Sequence, residues 1–336
     1  MPPAFAILQR RLPCQLNVRR PNMKQSFSSD DLPLVNGRVY HLNLAPDELA
    51  QDVIVVGDPD RVPFLADELF LGREVDRFHR GFRTITGIAR ETGMRVSIVT
   101  TGIGAPSTEI VLNELVALNE IDFPSRSRKD SIAPLHVVRV GTSGGVNPAT
   151  PIGSLAITDY VIGLDNTGPL YDSPAPDIAC TLLERQAMEA ISRSGDPRGR
   201  FYGAIRPYVA RADSRLLAAL VHEATSLGVQ HVIGITVSSP GFFAGEGRGV
   251  GRVRQTYPEL IDAIATIHAG GLKVENVEME AGMLLHFLGG MEYPAAALCA
   301  VINKRREGVF VTDYHRNVCD AAQVALKALK RLSTDD

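Results

Sequence analysis

Only four of the 336 residues are cysteine (Cys14, Cys180, Cys299 and Cys319), and they stand far apart. With no CxxC pair and no cysteine–histidine spacing, they build no metal site and read as free thiols of a reducing compartment. Nor is there an apolar run long enough to cross a bilayer. The best stretch, from Ala281 to Ile302, is interrupted by His286, Glu292 and Pro294 and reads as a buried helix, a turn and a strand. A net charge of −3 withholds the strongly basic surface that nucleic acid requires. Acidic residues are missing before Asp30, whereas Arg10, Arg11, Arg19, Arg20 and Lys24 fall in that stretch. That composition fits a disordered, transit-like leader over residues 1–30, or a chain whose translation begins at Met23. A transit peptide implies an organelle; otherwise a cytoplasmic location is expected.

Residues 31–336 alternate apolar strand-like runs with segments of helical spacing. The whole chain is 45% hydrophobic and 22% charged, as a globular protein is. Strands are expected at 52–57, 95–101, from His136, and at 155–162, 231–238, 272–280 and 295–302. A helix is expected over 62–71, and another after Pro106, which suits a helix N-terminus. Near the C-terminus, Val318, Ala322, Ala325, Leu329 and Leu332 share one helical face. Repeated strand-then-helix units predict a single α/β domain with a mostly parallel or mixed sheet covered by helices. A polar insertion at 122–134 interrupts the pattern, and no internal repeat is present.

Several strand ends carry chemistry. The run HVVRVGTSGG places Arg139 inside a Val-rich strand, where an unpaired guanidinium is costly. The glycines and hydroxyls after it, from Gly141 to Gly145, read as a turn that cradles an oxyanion such as phosphate. The alternative is a satisfied arginine before an ordinary turn. Gly57-Asp58-Pro59-Asp60-Arg61 follows another strand, where open α/β sheets bind ligands, though it also suits a polar turn. The arginines between Arg77 and Arg83 read as a solvated loop. In extended chain Glu278 and Glu280 share a face, and two such carboxylates need donors, for example the vicinal hydroxyls of a sugar. The loop from Ser238 to Arg248 offers Phe242 for stacking on a flat base, with Glu246 and Arg248 to read its edge. A mobile surface loop is the alternative there.

The ordered set GDPDR, HRGF, TGIGAPST, RVGTSGG, FFAGEGR, EMEAG and VINKR resembles the nucleoside phosphorylase family of the uridine phosphorylase type, from about His41 to Leu332. The resemblance implies a single α/β domain with a mixed, partly barrel-like sheet surrounded by helices. It implies reversible conversion of a nucleoside and phosphate into free base and ribose 1-phosphate. Carried over by motif, phosphate meets Gly57, Arg61, Arg139 and Thr142, with Arg80 supplied by a neighbouring subunit. Ribose meets Thr142, Glu278, Met279 and Glu280, with His41 reaching a partner's 5′-hydroxyl. The base is surrounded by Ser143, Gly144, Phe242, Glu246, Arg248 and Arg305. Arg139, Glu280 and Arg248 are the catalytic expectations.

The same resemblance implies a homo-oligomer, at least a dimer, with phosphate as co-substrate and no cofactor or metal. The 122–134 insertion and the TSGG wording lean towards dimeric members. Gly81 stands where some bacterial members have a potassium-binding Glu, so no such ion is expected. Purine-specific relatives have an Asp in the segment that here reads Asn303-Lys304-Arg305, which favours uridine. The uridine enzymes have a Gln where Glu246 stands, and a carboxylate suits the N1–H and 2-amino group of guanine. A 6-oxopurine nucleoside phosphorylase is therefore the alternative, and a non-catalytic nucleoside-binding paralogue a further one.

Overall fold

Valine, isoleucine and alanine fill the central strands because these are covered on both faces, and in a computed structural model they are buried along most of their length. The structure describes residues 24–304 and 307–335. In chain order, β1 (Asp52–Val56) leads to α1 (Arg61–Leu69), a hairpin of β2 (Phe70–His79) and β3 (Phe82–Ala89), then β4 (Arg95–Thr100) and α2 (Ala105–Glu120). β5 (His136–Gly145), β6 (Leu155–Gly163), α3 (Ile178–Ser194), β7 (Tyr208–Arg211), α4 (Ser214–Ser226) and β8 (His231–Ser238) follow. The chain ends with α5 (Leu260–Ile264), β9 (His268–Ala269), β10 (Leu272–Glu278), α6 (Ala281–Gly290), β11 (Ala295–Lys304), β12 (Val309–Phe310) and α7 (His315–Asp335).

These strands form one mixed sheet in the order β9-β10-β8-β6-β11-β5-β1-β4-β3-β2. β7 adds to β6 and β12 to β11. The sheet also closes on itself, because Asn276 and Val277 of β10 pair antiparallel with Gly145 and Gly144 of β5. Strands β5, β11, β6, β8 and β10 thus make a barrel-like ring. Register shifts at Thr158/Tyr160, Ile235/Thr236 and Val301/Asn303 supply the bends that closure needs. One apolar core, including Ile54, Leu65, Leu115 and Leu329, lies under α1, α2, α6 and α7. A second, including Leu183, Ile235 and Leu260, lies under α3 and α5. All five residues expected on the buried face of the last helix are in the core.

Two expected elements differ. The segment from Gly141 to Gly145 is not a turn but the second half of β5. Its glycines serve close approach, since a Cβ on Gly144 would lie 2.5 Å from Asn303 Oδ1 and one on Gly145 would lie 3.1 Å from Val301 Cγ1. Nor is Arg77 to Arg83 a loop, because it spans the tip of the β2–β3 hairpin. Its charged, largely exposed strand has no apolar alternation to reveal it. Of the expected leader, Ser26 bridges to Ser127 and Phe27 N–H donates to Arg126 O at 2.9 Å. Residues 1–23 lie outside the described residues.

Candidate active site

Arg139 is 3% exposed, so its guanidinium needs partners. Nε donates to Glu278 Oε2 at 2.9 Å, and Nη2 is paired with Glu280 Oε2. Nη1 is buried with no hydrogen-bond partner among the described residues. Gly141 makes room for this arrangement: a Cβ there would lie 2.9 Å from Nη2 and 2.8 Å from Cys299 Sγ. Burial alone would lower the arginine's pKa, but Glu280 and Glu278 outweigh it and the net shift is upward. Arg139 is therefore a permanent cation.

Glu278 and Glu280 do not lie on one extended face, because β10 stops at Glu278 and Glu280 is the N-cap of α6. Glu278 accepts from Glu280 N–H and Ala281 N–H at 2.9 Å, so it holds the first turn of α6 as well as Arg139. Glu280 Oε1 accepts from Gly104 N–H at 2.6 Å. Burial raises the pKa of Glu280, Arg139 opposes this, Glu278 adds to it, and the net shift is upward. Gly104, at φ +86°, brings its amide to that carboxylate from the start of α2.

A cleft of about 660 Å3 opens over this group. Gly57, Arg61, Arg139 and Thr142 line it, and Arg61 Nη2 donates to Thr142 Oγ1 at 3.3 Å. A Cβ on Gly57 would lie 3.4 Å from Gly102 O, so the glycine lets two strand ends meet. Glu278, Met279 and Glu280 line it too, as do Ser143, Gly144, Phe242, Glu246 and Arg248. Glu246 is 4% exposed and takes Arg248 Nη1 at 2.5 Å. The Arg248 guanidinium lies 3.9 Å from the Phe242 ring centroid, so that ring already has a cation on one face.

Sequence reasoning left out Asp58, Pro59, Gly102, Ile103, Val277, Ile302, Asn303 and Phe310 as lining residues. Gly102 and Ile103 stand in the TGIGAPST motif, which is the signal that pointed to them. Phe310, between Val309 and Val311, stands in none of those motifs and carries no such signal. Ser143 Oγ and Asn303 Oδ1 are buried without hydrogen-bond partners among the described residues.

Two expected residues are not in the cleft. His41 and Arg80 sit together near the hairpin tip, with Tyr40 between them: its ring centroid is 5.0 Å from His41's and 5.1 Å from the Arg80 guanidinium. Glu114 accepts from His41 N–H at 2.7 Å, from Leu42 N–H at 2.7 Å and from His41 Nδ1 at 2.8 Å, which orients the ring with Nε2 away from the carboxylate. Nothing in the sequence around mid-helical Glu114 announces that role. Arg305 lies outside the described residues.

The profile of the phosphorylase superfamily matches residues 51–334. The chain is 30% identical to the uridine phosphorylase of Thermococcus kodakarensis, an alignment covering 94% of each chain. It is 28% identical to that of Escherichia coli over 80% of this chain and 87% of the other. Among solved structures, a Trypanosoma brucei nucleoside phosphorylase described as showing uridine phosphorylase activity superposes with a TM-score of 0.78 at 27% identity. That match covers 89% of this chain and 99% of the other.

Proposed function

The chain belongs to the phosphorylase superfamily, and from that premise we propose that its cleft carries out reversible phosphorolysis of a nucleoside, uridine foremost. One observation carries the reading: a cationic arginine, clamped by two carboxylates, keeps a buried N–H donor without a partner among the described residues, in the same cleft as Arg61 and Thr142. A buried donor without a partner is expensive, and an oxyanion is the ligand that answers it. The named substrates of the relatives support uridine.

The chemistry follows from charge. Hydrogenphosphate, held by Arg61, Arg139 and Thr142 against the backbone of Gly57, attacks C1′ as the glycosidic bond breaks with its electron pair going to the base. Positive charge builds on the ribose, and Glu280 offers it a carboxylate while accepting from the 2′- and 3′-hydroxyls beside Met279. Negative charge builds on the base, and Arg248 faces a carbonyl oxygen there. Glu278 acts through Arg139 and α6. The protein supplies position and preorganised charge, and phosphate is the only co-substrate. His41 and Arg80, outside their own chain's cleft, complete the site of a second copy in a homo-oligomer. Free Cys180, Cys299 and Cys319 support a cytoplasmic location, and no described helix is long and apolar enough to cross a membrane. Purified protein incubated with uridine is expected to release uracil only when phosphate is present. Release that ignores phosphate would overturn the reading.

A further inference from the structure

The first turn of α6 carries much of the site's charge, yet the residues packed behind that turn lie outside the cleft. Glu280 is its N-cap, and Ala281 N–H donates to Glu278. Gly282 comes next and sits against two strand ends. A Cβ there would lie 2.9 Å from Ser238 Cβ, 3.0 Å from Tyr208 Oη and 3.1 Å from Gly163 Cα. Ser238 ends β8 opposite Glu278, and Gly163 ends β6 opposite Tyr208. The ends of β6, β8 and β10 and the starts of β7 and α6 thus meet around one tyrosine hydroxyl.

Tyr208 is built into that junction. A Cβ on Gly163 or on Gly168 would collide with its ring. Its hydroxyl donates to buried Asp165, whose other oxygen accepts from Thr167 N–H and Gly168 N–H, both at 2.8 Å. Its ring centroid lies 4.9 Å from that of His286, one turn of α6 beyond Gly282. His286 Nε2 in turn donates to Tyr171 O at 2.8 Å. Burial raises the Tyr208 pKa, Asp165 adds to this and Glu278 adds further, so the hydroxyl keeps its proton and remains a donor.

We propose that Tyr208, held by Asp165, is a positioning residue for phosphorolysis, which rests on the phosphorolytic reading of the cleft. It sets the first turn of α6, and through that turn the placement of Glu278 and Glu280 around Arg139. Neither Tyr208 nor Asp165 lines the cleft, so the effect travels through α6. Glu280 answers positive charge that develops on ribose only as the glycosidic bond breaks. A small displacement of its turn therefore costs transition-state stabilisation more than ground-state binding. Phosphate binding depends less on it, because Gly57, Arg61 and Thr142 stand on other elements. Tyr160 supplies an internal comparison. Like Tyr208 it is 7% exposed, and it donates to an aspartate, Asp177, at 2.9 Å. It packs in the core under α3 and α5, whereas α6 packs in the other core.

The test measures uridine phosphorolysis and thermal melting for the full chain and for its Tyr208→Phe, Asp165→Asn and Tyr160→Phe variants. Tyr208→Phe is expected to lower kcat about tenfold, with KM for phosphate within about twofold, well below its melting temperature. Tyr160→Phe removes a comparable buried hydroxyl and should melt lower as well, with kcat within about twofold of the parent. A merely structural Tyr208 would give both tyrosine variants the parent's kcat, and that result overturns the proposal. A raised KM with kcat unchanged overturns it too. Asp165→Asn cannot accept from the tyrosine and from both backbone N–H groups at once, so it should repeat the Tyr208→Phe pattern. It decides the matter if Tyr208→Phe fails to fold, and an unchanged kcat there is again fatal. These outcomes leave the phosphorolytic reading intact. A parent chain that releases no uracil with phosphate would sink both.

Discussion

Glu280 and Glu48 are both largely buried carboxylates resting on arginine, and burial presses both towards the neutral form. They end on opposite sides of the ordinary range. At Glu48, burial is outweighed by hydrogen bonds from Arg38 and then Arg77, the latter at 2.6 Å, and the pKa falls to about 2. There two cations serve one acid. In the ring the ratio is reversed: Arg139 serves both Glu278 and Glu280, burial dominates, and Glu280 is held above its ordinary value. Saturated charge makes a staple between the edge of the sheet and the Pro46–Glu48 turn. Unsaturated charge, with a donor that has no partner among the described residues on one side and an under-neutralised carboxylate on the other, makes a site. An excess of acid suits the transition state proposed above, in which the ribose becomes cationic.

That contrast can be broken most directly at Arg139. Replacing it by methionine leaves two buried carboxylates without their cation, so stability should fall by about 3–5 kcal/mol in urea unfolding. Phosphorolysis of uridine should drop by a factor of a thousand or more. Unchanged stability would mean the ring carboxylates do not depend on it. Glu280→Gln is milder for the fold and severe for the reaction, with about a hundredfold loss of kcat expected. Because the folded-state pKa of Glu280 is raised, its contribution to stability is fully present at low pH and is lost as pH rises through that folded value. The glutamine variant should therefore lose less stability than the parent between acid and neutral pH in a series of thermal melts. The smallest effect is expected at Glu48. Its lowered pKa contributes stability above the unfolded value of 4.5, and that stability is lost as pH falls towards about 2. Glu48→Gln should cost on the order of 2 kcal/mol at neutral pH, lose that difference in strong acid, and leave kcat within twofold. A large drop in kcat would erase the distinction between staple and site.

Much of the architecture was legible because the strands are Val- and Ile-rich and lie between helix-forming segments. The final helix was legible for a simpler reason, since one face must bury Val318 through Leu332. The β2–β3 hairpin was hidden because its charges lie on an edge with solvent at both faces, which leaves no period of two. The glycines of β5 misled because glycine marks turns and close strand approaches alike, and only the strand across from it separates the two. Within the site, Gly57, Arg61, Arg139, Thr142, Phe242, Glu246 and Arg248 were all legible at strand ends and in one loop. Glu114, Asn303 and Phe310 were not, because their part depends on what faces them across the fold.

The sequence alone determined the inventory: the strand and helix order, the arginines and glutamates at strand ends, and a carboxylate two residues before Arg248. The tertiary structure decided how that inventory is charged. Arg139 meets Glu278 and Glu280 from some 140 positions away, and β10 meets β5 to close the ring. The physical reason is that a pKa or an unpaired donor is set by distance, burial and the count of neighbouring charges, and a linear order of residues fixes none of these until the chain has folded.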